Sequence, residues 1–420
     1  MVETYQKICV LGLGYIGLPT ASLLATKGFQ VLGVDINPRI VDNLNQGRII
    51  IQEPSLDVMV KSAVNSGHLK AALTAEPSDV FIIAVPTPCQ DNHKPDVSYI
   101  EQATKALAPS LRPGNLVILE STSPVGTTED VAKWLSEARP DLQVCDRAAS
   151  CAPSSDAIYV AHCPERVLPG KILYELVHND RIVGGIDIDS TGKAVTFYQR
   201  FVAGSILSTD SRTAEFSKLV ENIYRDVNIA LANELSLICD KLDVDVWNLI
   251  KLANHHPRVD ILQPGPGVGG HCIAVDPWFV IDSVPEEARL IRMAREVNDS
   301  KPSFVIKKVM VSARRFKNPT IACLGLSYKA DIDDLRESPS IEIVDALARE
   351  KVGNLIVVEP HIESLPEPLS GCNGVTLSDL SSAISCADIV LLLVDHKPFC
   401  ALDRRLLEGK VIIDTRGIWR

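Results

Sequence analysis

Short, almost wholly apolar runs alternate along this chain with stretches whose apolar positions recur every three or four residues, the pattern of strands that feed helices. Lys7-Ile8-Cys9-Val10-Leu11 predicts a strand, a helix pattern opens at Leu18-Pro19, and Val31–Val34 predicts the next strand. Further strands are expected at Val80–Val85, Leu116–Glu120 and Ile158–His162, and residues 141–157 read as a loop. From Thr213 to about Leu242 the period becomes helical and unusually long, with Ala214, Phe216, Leu219, Ile223, Val227, Ala230 and Leu231 in register. Helices follow over Asp245–Ala253 and from Pro285 to Asn298, and Lys301-Pro302 is expected to be a hinge into a new domain.

The last third repeats the opening plan. Ile321–Leu324, Leu355–Val358, Ile389–Val394 and Val411–Ile413 are predicted strands, with a helix from about Pro339, but only one of the three early glycines, Gly325, recurs. The expected fold is α/β: two Rossmann-like parallel-sheet domains joined by a helical central domain with one long helix. The boundaries fall at 1–210, 211–300 and 301–420. A chain of 420 residues is long enough for two or three such cores.

Composition narrows the partners. A net charge of −11 argues against nucleic acid or an anionic membrane surface. No apolar run is long enough for a membrane span, and the first residues lack a signal-peptide pattern. The eleven cysteines are scattered and never in C-x-x-C spacing, which suits free thiols in a reducing cytoplasm. The nine histidines form no ligand pair at metal spacing, so no metal is expected.

Two stretches carry chemistry. The first is Gly12-Leu13-Gly14-Tyr15-Ile16-Gly17, set between strand and helix, with Asp35 closing the next strand. G-x-G-x-x-G alone is weak, but in this context it predicts a dinucleotide site with the pyrophosphate on the helix N-terminus. Asp35 would hold the ribose hydroxyls and repel a 2′-phosphate, favouring NAD over NADP; Arg39 could stack near the adenine or accommodate a phosphate. Ligands lie beyond the carboxyl ends of parallel strands, which places Thr87, Thr122, Glu165 and Arg166 toward the site. Threonine in a turn can equally be a local cap, and Glu165 with Arg166 a surface ion pair.

The second stretch is Gly265-Pro266-Gly267-Val268-Gly269-Gly270-His271-Cys272, with Asp276 four residues further on. Four glycines in six residues bring bare backbone close to a ligand, and a thiol directly after them is how a nucleophile beside an oxyanion site would be built. Cysteine is also a common buried hydrophobe, so Cys272 needs a reason to be reactive. One comes from the long helix, where Lys218, Asn222 and Arg225 share a face at i, i+4 and i+7. Such a stripe is either solvated or turned into a site.

Taken together, G-L-G-Y-I-G-L-P at 12–19, V-P-T-P at 85–88, E-S-T-S-P-V-G-T at 120–127, C-P-E-R at 163–166, K-L-V-E-N at 218–222, G-P-G-V-G-G-H-C at 265–272 and S-Y-K-A-D-I-D-D-L-R-E-S-P at 327–339 resemble the UDP-sugar 6-dehydrogenase family over essentially the whole chain. Within it, C-P-E-R-V-L-P-G, H-P-R-V and the run around Cys272 are most similar to the branch that oxidises UDP-N-acetyl-D-mannosamine. The resemblance implies a four-electron oxidation of the sugar C6 alcohol to a carboxylate with two NAD, for cell-surface polysaccharide synthesis. It implies Cys272 as nucleophile, Lys218 as acid/base, Asn222 as oxyanion support, and Asp276 and Glu165 as carboxylates for the hydrolytic water. Implied substrate positions are Arg166, Val167, Lys218, Asn222, Arg225, His256, Arg258, Gly269, Tyr328 and Lys329. Implied cofactor positions are Gly12, Gly14, Tyr15, Ile16, Gly17, Asp35, Arg39, Thr87, Thr122 and Arg336. A homodimer packed through the long helix is also implied, with Arg258 reaching the neighbour's sugar. Rival readings are the same reaction on UDP-N-acetylglucosamine or UDP-glucose, a two-electron hydroxyacid-type dehydrogenase, and a non-catalytic nucleotide-sugar sensor.

Overall fold

A strand buried on both faces needs apolar side chains at every position, and that is what the apolar runs become. The computed structural model describes residues 5–49, 51, 53–90, 92–144 and 156–419. The chain divides into two compact units, one ending at Val220 and the other beginning at Glu221.

In the first unit the strands are β1 (Lys7–Leu11), β2 (Gln30–Val34), β3 (Leu69–Ala72), β4 (Val80–Ile83), β5 (Leu116–Leu119), β6 (Gln143–Val144), β7 (Ala157–His162), β8 (Arg181–Gly185) and β9 (Ile206–Asp210). Their order is β3-β2-β1-β4-β5-β7-β8-β9, with β6 paired to β7. All pair in parallel except β7 with β8. Alternation along each strand sorts the core: Ile8, Val10, Val80 and Ile82 pack on one face of the sheet, and Cys9, Leu11, Phe81 and Ile83 on the other. The strands expected to reach Val85 and Glu120 stop at Ile83 and Leu119. Within the expected loop over 141–157, Gln143–Val144 is a short strand and β7 already begins at Ala157; residues 145–155 of that loop lie outside the described residues.

The long helix, Ser211–Leu242, has 32 residues. In the second unit helices Val246–Ala253, Asp276–Ser283 and Arg289–Ala313 lead to a five-stranded sheet of β10 (Thr320–Leu324), β11 (Asn354–Val358), β12 (Val375–Leu377), β13 (Ile389–Leu392) and β14 (Val411–Asp414). Its order is β12-β11-β10-β13-β14, and every pairing is parallel. The expected break at Lys301-Pro302 is absent: Arg289–Ala313 runs straight through Pro302. An internal proline costs about 3 kcal/mol. Continuing the helix buries Val305 and Val309 in the core of the C-terminal sheet, worth about 1.5–3 kcal/mol each, so packing overrides local propensity. Among the described residues no helix is long and apolar enough to cross a membrane, and no disulfide joins the described cysteines.

Candidate active site

The loop after β1 is shaped by how closely the chain crosses itself. Gly12 has φ +91°, and a Cβ there would lie 2.6 Å from the Ala84 carbonyl oxygen; one on Gly17 would lie 1.8 Å from the Gly12 oxygen. A Cβ on Gly14 would meet nothing within 4 Å. The first and third glycines thus fold the turn, and the second leaves open space. The helix that follows, Gly17–Thr26, has no side-chain cap and no acidic residue in its first turn, so its N-terminus is electrostatically ready for an anion. Asp35, half-buried at the end of β2, accepts the Leu13 N–H at 3.0 Å and the Asn37 N–H at 2.9 Å. These two bonds orient the carboxylate and leave it further lone pairs for ribose hydroxyls. Arg39 is exposed one turn further on. Open space at Gly14, an uncapped helix and an oriented acid fit a dinucleotide.

Polar atoms gather where β4, β5 and β7 end. Thr87 Oγ1, Ser123 Oγ, Glu120 Oε2 and both ring nitrogens of His162 are buried without a hydrogen-bond partner among the described residues. Thr122 beside them is half-buried. Burial pushes the His162 imidazole down to about 3, so it stays neutral. Glu120 receives the Tyr198 hydroxyl at 2.8 Å, yet burial pushes its carboxyl up to about 7, with Arg181 working against that shift and Glu165 adding to it. Glu165 is buried rather than at the surface. Its Oε2 meets Arg181 Nη1 at 3.3 Å, and its Oε1 accepts the N–H groups of Arg166 at 2.5 Å and Val167 at 2.7 Å. The partner suggested by sequence adjacency, the Arg166 guanidinium, instead donates to the Asp180 carbonyl. Lys218, on the long helix, is half-buried.

In the second unit the glycine-rich run lies against the loop that follows β10. A Cβ on Gly269 would fall 2.4 Å from the Glu337 oxygen and 2.8 Å from Tyr328 Cβ, and one on Gly270 2.8 Å from the Tyr328 ring. Gly270 N–H donates to the Arg336 carbonyl at 3.2 Å. Backbone and aromatic ring approach this closely only because no side chain intervenes. Cys272 follows, half-exposed, in a turn whose carbonyl accepts the Asp276 N–H at 2.8 Å. Asp276 is buried and accepts the Asn222 side-chain amide, and Arg225 in turn donates to Asn222 Oδ1. The helix-face triplet is therefore graded: Asn222 buried, Lys218 half-buried, Arg225 exposed.

The loop after β10 is held from beneath. Glu359, 5% exposed, accepts the N–H groups of Leu326 at 2.7 Å and Ser327 at 3.1 Å and bonds the His396 ring at 3.1 Å. Above this, Tyr328 is half-buried, Lys329 exposed, and Arg336 pairs with Asp334 at 2.6 Å. Asp331, His361 and His396 each bring one ligand atom within 4.8 Å of the others, a grouping that sequence spacing did not suggest. His396 Nδ1 already accepts the Asp331 N–H at 2.9 Å, so this cluster is a hydrogen-bonded support for the loop. His256 and Arg258 are exposed neighbours, the Arg258 N–H reaching His256 Nδ1 at 3.4 Å. Sequence reading passed over the buried groups Glu120, Arg181, Tyr198, Asn233, Arg295 and Asn298; polar residues inside apolar elements were the available signal.

Three family models match in chain order. The NAD binding domain of the UDP-glucose/GDP-mannose dehydrogenase family matches residues 6–202, its central domain 212–300 and its UDP binding domain 322–420. A protein of Ralstonia nicotianae named NDP-N-acetyl-D-galactosaminuronic acid dehydrogenase is 59% identical, covering 99% of this chain and 96% of its own length. The UDP-N-acetyl-D-mannosamine dehydrogenase of Campylobacter jejuni is 56% identical over 95% of this chain and 97% of its own. A structure of the UDP-N-acetyl-mannosamine dehydrogenase Cap5O from Staphylococcus aureus superposes with a TM-score of 0.86 at 44% identity, covering 98% and 95% of the two chains.

Proposed function

Since the chain belongs to the UDP-glucose/GDP-mannose dehydrogenase family, and so is a UDP-sugar oxidoreductase with an NAD binding domain, we propose that it oxidises the C6 alcohol of UDP-N-acetyl-D-mannosamine to UDP-N-acetyl-D-mannosaminuronate. The observation that carries this reading is the nucleophile segment: a half-exposed thiol after close-packed glycines, with a buried carboxylate one turn on that is bonded to an amide of the long helix.

Gly12, Gly14, Tyr15, Ile16, Gly17, Asp35, Arg39, Thr87, Thr122 and Arg336 hold the cofactor in this reading. NAD held there would supply the acceptor for one electron pair from C6 in each of two oxidations. Lys218 accepts the proton of the C6 hydroxyl in the first. Cys272 then adds its sulfur to the carbonyl carbon, forming a C–S bond, while Lys218 and Asn222 steady the oxygen. After the second oxidation the sulfur carries an acyl group. Water, activated by Asp276 or Glu165, attacks it; the C–S bond breaks, the carboxylate leaves and the thiol is regenerated. Arg166, Val167, Arg225, His256, Arg258, Gly269, Tyr328 and Lys329 face the UDP-sugar. Division into domains at 1–210, 211–300 and 301–420 belongs to the same proposal and is supported by the bounds of the matched models. So does a homodimer through the long helix, supported by the exposed Val220, Tyr224, Leu231 and Ile238 along it. A cytoplasmic enzyme supplying a cell-surface polysaccharide completes the reading.

An NADH assay across UDP-N-acetylmannosamine, UDP-N-acetylglucosamine, UDP-N-acetylgalactosamine and UDP-glucose tests it. Two NADH per sugar, greatest with the manno epimer, is expected. One NADH and a carbonyl product would leave a two-electron dehydrogenase, and no NADH a sensor. The Ralstonia relative favours one second reading, the galacto epimer, which the same panel separates. Cys272→Ser is expected to keep NAD and UDP-sugar binding and to lose turnover by at least about a thousandfold; near-normal four-electron turnover would refute the nucleophile.

A further inference from the structure

One face of the long helix ties down both ends of the nucleophile segment. Asn222, Asp226 and Asn233 fall within about 40° of one another around a helix of 3.6 residues per turn, and all three are fully buried. At the far end of the segment Asn222 donates to Asp276. At its start the Gly265 N–H donates to Asn233 Oδ1 at 2.9 Å. Asn233 is itself immobilised: its Nδ2 donates to Asn298 Oδ1 at 2.9 Å, and Asn298 Nδ2 donates to Asp226 Oδ1 at 2.8 Å. Arg295, 2% exposed, pairs with that same Asp226 oxygen at 2.6 Å.

A buried polar chain of this kind adds little net stability over an apolar core of equal volume. What it supplies is a defined geometry, because each member is bonded to the next, while Asp226 Oδ2 and Arg295 Nε stay buried without a partner among the described residues. The run from Gly265 to Cys272 needs such an anchor. With four glycines and one proline it has few side chains of its own to pack, and fully extended it would reach about 23 Å.

We propose that Asn233 is a positioning residue for Cys272: through the Gly265 N–H it fixes the start of the segment, so that the sulfur meets the C6 aldehyde before the aldehyde can leave. This rests on the thioester reading above. Asn298, Asp226 and Arg295 hold Asn233 in place, and the amides at positions 222 and 233 act as the two end posts of one loop.

The test counts NADH against uronate for wild type, Asn233→Ala, Asn298→Ala and Val309→Ala, with thermal unfolding of each and semicarbazide to trap free aldehyde. Val309 lies in the C-terminal core away from this chain of polar groups, so its truncation controls for lost stability. Wild type is expected to give two NADH per uronate. Asn233→Ala should lose about 10–100-fold in kcat with an unchanged KM for NAD, and its NADH-to-uronate ratio should rise above two as aldehyde escapes. Asn298→Ala should leak less, and Val309→Ala not at all. If Asn233→Ala does not fold, the presence or absence of a leak from Asn298→Ala decides in its place. A ratio of two in every folded variant, or an equal leak from Val309→Ala, overturns the assignment of Asn233. One NADH and no uronate from wild type would instead sink the thioester reading.

Discussion

In the N-terminal sheet β1 ends at Leu11 and Gly12 follows; in the C-terminal sheet β10 ends at Leu324 and Gly325 follows. The two turns match bond for bond. Gly12 N–H donates to Val34 O and Gly325 N–H to Val358 O, both at 2.8 Å, with φ +91° and +95°. The next N–H donates to the acid that closes the second strand, Leu13 to Asp35 at 3.0 Å and Leu326 to Glu359 at 2.7 Å. Beyond that they part. Asp35 is half-exposed, whereas Glu359 is buried beneath Ser327 and His396. The first helix begins at Gly17 without a cap; its counterpart begins only at Pro339, capped by Ser338 and carrying Glu342 in its first turn. A shared strand order dictates the turn. Ligand chemistry is decided by which donors and acceptors the chain leaves unspent: the first turn leaves an acid with spare lone pairs and an uncapped helix end, the groups proposed above to hold NAD, and the second uses both on itself to stiffen the loop of Tyr328 and Lys329.

The sharpest way to separate the two turns is to put a methyl in each. Gly12→Ala brings a left-handed φ, costing about 1–2 kcal/mol, and a clash 2.6 Å from Ala84 O, costing about 1–3 kcal/mol more. NAD affinity, read by fluorescence titration, should fall about a hundredfold. Gly325→Ala suffers equal strain against Val394, 2.4 Å away, and should lower the unfolding temperature while NAD affinity stays within about twofold. An equal loss of NAD affinity in both would erase the distinction.

The two acids give a smaller contrast. Asp35→Ala would remove the charge-assisted bonds to the ribose proposed for it, worth about 1.5–3 kcal/mol, a loss of about 10–100-fold in NAD affinity, with a smaller fall in melting than at Glu359 from the part-buried Leu13 N–H it also satisfies. Glu359→Ala should do the reverse, costing about 1–3 kcal/mol of stability for each buried donor left unsatisfied. Denaturant titration beside cofactor titration checks both.

Smallest, and visible only against pH, is the opposite titration of two buried carboxyls. Burial holds Glu120 up at about 7. Its folded form binds the proton more tightly than the unfolded chain, so its contribution is complete below about 4.5 and is lost as pH rises through about 7. At Glu359 burial acts upward, but the hydrogen bonds from His396, Leu326 and Ser327 outweigh it and hold the carboxyl below its ordinary value. Its contribution is present above that ordinary value and lost as pH falls through the depressed one. Glu120→Gln should therefore flatten the dependence of melting on pH between about 4.5 and 7, and Glu359→Gln the dependence at lower pH.

Local chemistry was legible wherever neighbours in the chain are also neighbours in space. The strand–glycine–helix–strand order, the acid at 35, the long helix and the glycine run before Cys272 all follow from short-range pattern. β4 and β5 were readable because both faces are buried and every position is apolar; β9, partly exposed at the sheet edge and half polar, carried no such mark. Lys301-Pro302 misled because a local rule lost to the burial of Val305 and Val309. Glu165 took Arg181 rather than Arg166, Asn222 found Asp276 across 54 residues, and Asn233 found Gly265 across 32. Turn shape and residue type are one-dimensional information, set by sterics within a few bonds. Which polar group is buried, and by whom it is satisfied, depends on packing between distant segments, and so is decided only in the folded chain.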